Sequence, residues 1–427
     1  MKIKSLFRLS PAILILAACT SRNPHDSDGR HIYYIRAKPE SAGFSSARLA
    51  RLDTFLQHAI DRGDIPNAVT FIARKGKIVH YKAFGFRNIE KKIPLKTNDI
   101  FRIASQSKAI TSVGLMTLYE EGKFGLDEPV SNYITAFKNP GVMETFNPAD
   151  SSYTARPAKS EITIRQLLNH TAGYPYDHPV YIKAGIPMLN STDNITLEEV
   201  VNRLATLPLV HDPGEAFTYG LHTDIVGRLI EVISGKPLDV FLKERIFDPL
   251  GMKDTYFYLP DDKKERLVTL YEKPTINSKL AVSDNKTNQD FPVAGHKAYF
   301  SGGAGLVGTI EDYGRFCMML LNGGEFNGQR ILGRKTIEMM TTNQIGDLNV
   351  WSSGDKFGLG FEIVTEKGTA MIPGSVGSFK WGGIYSTDYL IDPAEDMVCL
   401  VYTNSFPNAF WQFTQLYRPL IYQALED

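Results

Sequence analysis

Strand-like segments gather near the two ends of this chain and leave a long helical stretch between them. That placing restricts the fold to a sheet assembled from both termini. Near the N-terminus, residues 68–74 and 78–84 are β-like, and Lys75-Gly76-Lys77 supplies a hairpin turn between them. Near the C-terminus, residues 357–365, 379–381, 387–391 and 397–403 read as further strands. Helices are expected over 105–121, stopped by Gly122, and over 163–169, 197–206, 222–234 and 238–246. Asp212-Pro213-Gly214 and Ser234-Gly235-Lys236-Pro237 punctuate that stretch. Leu49, Leu52, Phe55, Leu56 and Ile60 recur at helical spacing over 46–62, Thr309 with Asp312 offers a capping pair for a helix over 310–322, and a terminal helix starts near Trp411. The expectation is an α+β chain, with an α/β part over 41–103 and 298–427 and a mainly helical part over 104–297.

The extreme N-terminus is of another kind. Lys2, Lys4 and Arg8 precede a short apolar run from Ala12 to Ala18, too short for a spanning helix of roughly 20 residues. The run ends Leu16-Ala17-Ala18-Cys19, which resembles the lipobox of bacterial lipoproteins. The resemblance implies a signal peptide over 1–18, lipid on Cys19 and a polar tether over 19–40. Thr20 in place of Asp then implies the outer membrane, facing the periplasm. Cleavage removes three of the 47 basic residues that balance 47 acidic ones, leaving a net charge of −3. Such a balance excludes the basic excess of a nucleic-acid protein.

Cofactor chemistry finds little purchase. The nine histidines include no HExxH and no paired Cys/His spacing, and there is no GxxxxGK[ST], no GxGxxG leading from a strand into a helix, and no GxSxG. No metal and no cofactor are expected. Cys317 and Cys399 sit among apolar neighbours and read as buried free thiols.

The reactive candidates begin at Ser105-Gln106-Ser107-Lys108, where the first long helix starts. Ser and Lys three apart share a helix face, so the amine can take the proton a serine must lose to become a nucleophile. The helix N-terminus disfavours a charged lysine and favours developing negative charge. Further on, Thr218-Tyr219-Gly220-Leu221 leads into a helix, and a tyrosine there could relay a proton to a leaving group. Phe379-Lys380-Trp381-Gly382-Gly383-Ile384 is a strand that ends in positions without side chains, open to a substrate.

Together these resemble the serine β-lactamase and penicillin-binding-protein superfamily, in its class C-like branch with esterases. Leu167-Leu168-Asn169-His170-Thr171-Ala172-Gly173, Ser301 to Leu306 and Leu320 to Leu332 also fit that branch, over roughly residues 40–425. The resemblance implies a β-lactamase/transpeptidase-like fold: an antiparallel sheet flanked by helices with an inserted, mainly helical subdomain. It implies Ser105 as nucleophile, Lys108 as its base, Tyr219 as proton shuttle, and the backbone amides of Ser105 and Ile384 as oxyanion hole.

Two departures bear on substrate. Where β-lactamases and DD-peptidases carry Tyr-x-Asn, this chain has Leu221. Where they carry Lys-Thr-Gly, it has Trp381-Gly382-Gly383, as in the esterase branch, and an indole offers one N–H and no charge. Leu221, Trp381, Gly382 and Gly383 are the expected substrate contacts. A one-residue slip would instead face Lys380 to the site. The expected function is a lipid-anchored serine hydrolase acting as an esterase on small or apolar acyl esters, with a small-molecule ester or amide substrate and the membrane as its expected partners and no nucleic acid. A β-lactamase or D-amino-acid peptidase of cell-wall peptides, and a slow-turnover sensor, stay open. His170 and His222 are read as structural, and Tyr174, Tyr176 and Tyr181 as either cleft lining or loop packing.

Overall fold

Two chain ends more than 300 residues apart pair edge to edge. In the computed structural model, which describes residues 35–351, 353–410 and 413–427, β2 (Asn67–Arg74) lies antiparallel to β9 (Met397–Tyr402), with Val69 opposite Tyr402 and Arg74 opposite Met397. The signal segment, Cys19 and the tether up to residue 34 lie outside the described residues. The last residues of the expected tether belong to the fold: β1 (Ile35–Arg36) pairs parallel with β3 (Lys77–Asn88). With β4 (Ile93–Pro94), β5 (Lys356–Phe357), β6 (Glu362–Ile363), β7 (Phe379–Gly383) and β8 (Thr387–Asp392), these make a nine-stranded sheet among the described residues. Its order is β1-β3-β2-β9-β8-β7-β6-β5, with β4 on β3. Every pairing except β1 with β3 is antiparallel.

Strand periodicity sorts the side chains onto two faces. Val69, Phe71 and Ala73 of β2, Tyr389 and Ile391 of β8, and Val398, Leu400 and Tyr402 of β9 join one core. Ala68, Ile72, Leu390, Met397, Cys399 and Val401 join another, covered by Leu49, Leu52 and Leu56 of α1 (Ser46–Asp61) and by Phe413, Tyr417 and Ile421 of α5 (Phe413–Tyr422). Both faces are therefore dry, which is why β2, β8 and β9 are buried at every position. On the first face α4 (Ile310–Leu321) starts where expected, its Thr309 Oγ1 accepting from the Asp312 N–H at 3.2 Å. Gly314 lets α4 lie close on the sheet, since a Cβ there would sit 2.9 Å from the Phe71 ring.

Beyond α4 lies α2 (Ser107–Glu120), buried on all sides from Ser107 to Leu118, so that Lys108, Thr111 and Ser112 are enclosed together with its apolar residues. It packs against α3 (His222–Ser234) of the helical part. That part also carries an antiparallel hairpin, Gly141–Asn147 with Ser152–Pro157, not expected from the sequence. The stretch expected as one strand over 357–365 is two short strands, β5 and β6, folded on each other.

Candidate active site

Ser105 sits in a single 3₁₀ turn, Ala104–Gln106, that runs directly into α2. The turn follows the short strand Phe101–Arg102, held from below by Arg102. This buried guanidinium donates to Val268 O at 2.7 Å, Asn288 O at 2.8 Å and Gln289 O. Ala104 has φ 42°, a left-handed backbone that few non-glycine residues adopt, directly before the nucleophile candidate.

One turn on, Lys108 is 2 % exposed and its Nζ donates in three directions. It reaches Ser105 Oγ at 3.2 Å, the Tyr176 hydroxyl at 2.8 Å and Gly303 O at 2.8 Å. Gly303 comes from the glycine-rich run after Phe300, and a Cβ there would lie 3.2 Å from the Tyr176 hydroxyl and 3.6 Å from Lys108 Nζ. Asp224, on α3, fixes that run by accepting from Ser301 Oγ at 2.8 Å and from Gly303 N–H at 3.1 Å. Burial raises its carboxyl above the usual range, against the pull of those two donors.

Two tyrosines flank the lysine. Their loops meet because residue 220 is glycine: a Cβ there would overlap Tyr174 O, and Leu221 N–H donates to that same carbonyl at 3.0 Å. The rings of Tyr176 and Tyr219 are 5.5 Å apart. Lys108 Nζ lies 4.8 Å from the centre of the Tyr219 ring, but its hydrogen bond goes to Tyr176. Burial, then the neighbouring Tyr219 and Asp224, push the Tyr176 phenol well above its ordinary value, so it stays protonated at neutral pH. Of the two readings open for Tyr176, the structure takes the cleft.

Trp381 faces the same side. It belongs with Phe379 to the face of the sheet that looks at α2, and its Nε1–H donates to the Tyr219 hydroxyl at 3.2 Å. Trp351 stacks on it with centroids 5.3 Å apart and planes 21° from parallel. Lys380 points to the other face, where it meets Glu362 at 2.6 Å and Asp355 at 3.5 Å. The register slip is therefore not realised.

Ser105, Tyr176, Tyr219, Trp351, Trp381, Gly382 and Ile384 line one cavity of about 1440 Å³, which Lys380 borders from the far side of β7. Leu221 does not join them. It is 1 % exposed, packs into the core at the start of α3, and cannot contact a substrate as expected of that position. Gly383 is set against the backbone before Ser105, where a Cβ would overlap Ile103 O, so its part is to bring the end of β7 up to the nucleophile turn.

Behind Tyr219, His170 and His222 face each other with Nδ1 atoms 2.9 Å apart, and Tyr174 N–H donates to His222 Nε2 at 3.2 Å. His222 must then carry its proton on Nδ1 and donate it to His170. Burial first, then the charges of His211 and Lys108, push His222 down to about 3. Burial and the same kind of neighbours lower His170 well below its usual value. Both are neutral and structural, as read from the sequence. Cys317 and Cys399 are buried free thiols.

Among the described residues no cluster of His, Cys, Asp or Glu could hold a metal ion. What the arrangement can do is deprotonate a serine, hold a buried phenol beside the amine, and seat an apolar or planar group on indole.

The sequence profile of the Beta-lactamase family matches residues 52–420. Protein Rv1367c of Mycobacterium tuberculosis is 30% identical over 371 residues, covering 83% of this chain and 89% of its own. Esterase EstB of Burkholderia gladioli is 27% identical over 386 residues, covering 86% and 93%. Among solved structures, EstCE1, described as a hydrolase with promiscuous acyltransferase activity, superposes with a TM-score of 0.74 at 28% identity, over 88% of this chain and 99% of its own.

Proposed function

The chain belongs to the beta-lactamase family as a serine hydrolase, and from that premise we propose that it is a carboxylesterase acting on small or apolar acyl esters through an acyl-enzyme on Ser105. The observation that carries this reading is the pairing of Trp381 with Tyr219 on the side of Ser105, while Lys380 is engaged by carboxylates on the other face. An indole in that place favours apolar or stacked groups and offers no cation for a substrate carboxylate. Leu221 likewise removes the amide that a Tyr-x-Asn site turns to its substrate.

In the reaction, Lys108 acts as the free amine: it keeps two N–H bonds, to Gly303 O and the Tyr176 oxygen, and turns its lone pair to Ser105 Oγ in place of the third, taking its proton. Oγ bonds to the ester carbon, and the carbonyl electrons move onto oxygen. The backbone N–H groups of Ser105 and Ile384 are the donors for that oxyanion, each contributing about 3 kcal/mol of barrier reduction. The C–O bond to the alcohol then breaks, and the leaving oxygen takes a proton from Tyr219. That proton is free because the Tyr219 oxygen is already the acceptor for Trp381 Nε1–H. Tyr219 recovers a proton from the ammonium of Lys108, and water repeats the sequence to release the acid. We also propose the lipid anchor on Cys19, which predicts that Cys19→Ala moves the protein from the membrane to the soluble fraction.

The test is turnover of 4-nitrophenyl acetate and butyrate beside the β-lactam nitrocefin, with Ser105→Ala as control. Ester turnover that vanishes in the variant, with nitrocefin untouched, is the expected result. Nitrocefin hydrolysis faster than ester hydrolysis would replace the esterase with a β-lactamase.

A further inference from the structure

Two apolar walls of the cavity meet at the nucleophile turn, and they belong to different cores. Tyr176, Tyr219 and Trp381 pack with the large core, and Trp351 stacks on Trp381 to continue that aromatic wall. Leu189 and Phe406 also line the cavity, but they pack with Ala104, Leu270 and Tyr385 in a small cluster of their own. The turn divides the two: Lys108 Nζ lies 4.8 Å from the centre of the Tyr219 ring, whereas Ala104 supports the second wall.

The second wall is mostly aliphatic and lies open. Met188, next to Leu189, and Ile384, next to Tyr385, extend it; both line the cavity, at 41 % and 42 % exposure. Asn190 does not interrupt it, because its side-chain amide lies against the Tyr385 hydroxyl. Apolar side chains left open beside a reacting serine gain by burial when an apolar group of the substrate lies on them.

The proposed reaction decides which part of the ester goes to which wall. The alcohol oxygen takes its proton from Tyr219, so the alcohol lies on the Tyr219 side, against Trp381 and Trp351. The carbonyl oxygen turns to the amides of Ser105 and Ile384. Of the four bonds at the attacked carbon, the one left is to the acyl chain, and the wall left for it is the aliphatic one.

We propose that Met188 and Leu189 are specificity-determining residues that hold the acyl chain, while Trp351 holds the alcohol. The substrate class is then an ester with two unlike parts: a planar or aromatic alcohol, and an aliphatic acid several carbons longer than acetate. This rests on the esterase reading above and on Tyr219 as the donor to the leaving oxygen.

The test uses the full chain and four esters, the acetates and hexanoates of phenol and of cyclohexanol. Ratios of kcat/KM are compared between wild type and each variant, so that intrinsic reactivity cancels. The double variant Met188→Ala with Leu189→Ala lowers the hexanoate-to-acetate ratio by about fivefold or more for both alcohols, and keeps the phenyl-to-cyclohexyl ratio within about twofold. Trp351→Asn does the reverse; asparagine is chosen because residue 351 has φ 47°, a backbone that asparagine accepts. Once the alcohol has left, only the aliphatic wall is occupied. Hydrolysis of the hexanoyl-enzyme therefore changes in the double variant and not in Trp351→Asn. Met188→Ser alone, at an exposed position, shifts the acyl ratio in the same direction and serves if the double variant does not fold. Exchanged effects, equal effects of each variant on both ratios, or unchanged ratios would overturn the proposal and leave the esterase reading standing. No ester turnover by wild type removes the esterase reading and this inference with it.

Discussion

The Trp381 indole donates from Nε1 to the Tyr219 hydroxyl oxygen at 3.2 Å, joining two residues 162 positions apart. That bond marks the face of β7 that looks at Ser105 and, in the proposed reaction, leaves the Tyr219 proton for a leaving group. Trp381→Phe keeps an aromatic ring against Tyr219 and Trp351 but removes the N–H. Loss of one such bond predicts a fall in kcat of roughly tenfold on ethyl butyrate, whose leaving group needs that proton, with circular dichroism as the folding control. A wild-type rate would detach the indole N–H from the reaction.

Lys108→Met removes the proposed base while keeping a long buried side chain. General-base loss of this kind lowers kcat/KM by roughly 10²–10⁴-fold. Steady-state kinetics with circular dichroism as a folding control checks it.

The two tyrosines separate by leaving group. Tyr219→Phe slows ethyl butyrate much more than 4-nitrophenyl butyrate, because nitrophenolate departs without being protonated. Tyr176→Phe leaves a Lys108 N–H without its acceptor, so it slows both esters alike. A Tyr176→Phe variant that discriminates between the esters would exchange the two roles.

The histidine pair makes stability depend on pH. In the folded chain His222 does not protonate until about 3, whereas in the unfolded chain it takes a proton near 6.5. Below pH 6.5 the unfolded state therefore binds more protons, and the stability present above that pH is lost as pH falls towards 3. At pH 5 the loss from His222 is about 2 kcal/mol. Denaturant unfolding at pH 7 and pH 5 should show a smaller drop for His222→Gln than for wild type; an equal drop would mean His222 can protonate in place.

Much of this site was legible in the sequence because its parts are local. Ser105 and Lys108 share one helix turn, and the alternation along Phe379 to Trp381 left two registers, which the contacts of Trp381 with Tyr219 and of Lys380 with Glu362 tell apart. The helices over 222–234 and 310–321 were readable from apolar spacing and from Thr309 and Gly235 at their ends. Tyr176 and Asp224 were not assigned because their roles depend on contacts across long stretches of chain. Tyr176 meets Lys108 only because Gly220 lets two loops touch, and Asp224 acts through Ser301 and Gly303. The signal for both was present in those glycines, but which backbone each one admits is decided in three dimensions. Leu221 was misplaced for the same reason: its neighbour Tyr219 faces the cavity while the first turn of α3 carries Leu221 into the core.

The proposed reaction turns on Ser105 as nucleophile and Lys108 as its activator. The most direct measurement is the rate and position of labelling by a fluorophosphonate, followed by intact mass and peptide mapping of wild type and Lys108→Met. A single adduct on Ser105 is expected in wild type, formed at least about 10²-fold more slowly in the variant. An adduct on any other residue, or equal rates in the two proteins, would contradict it.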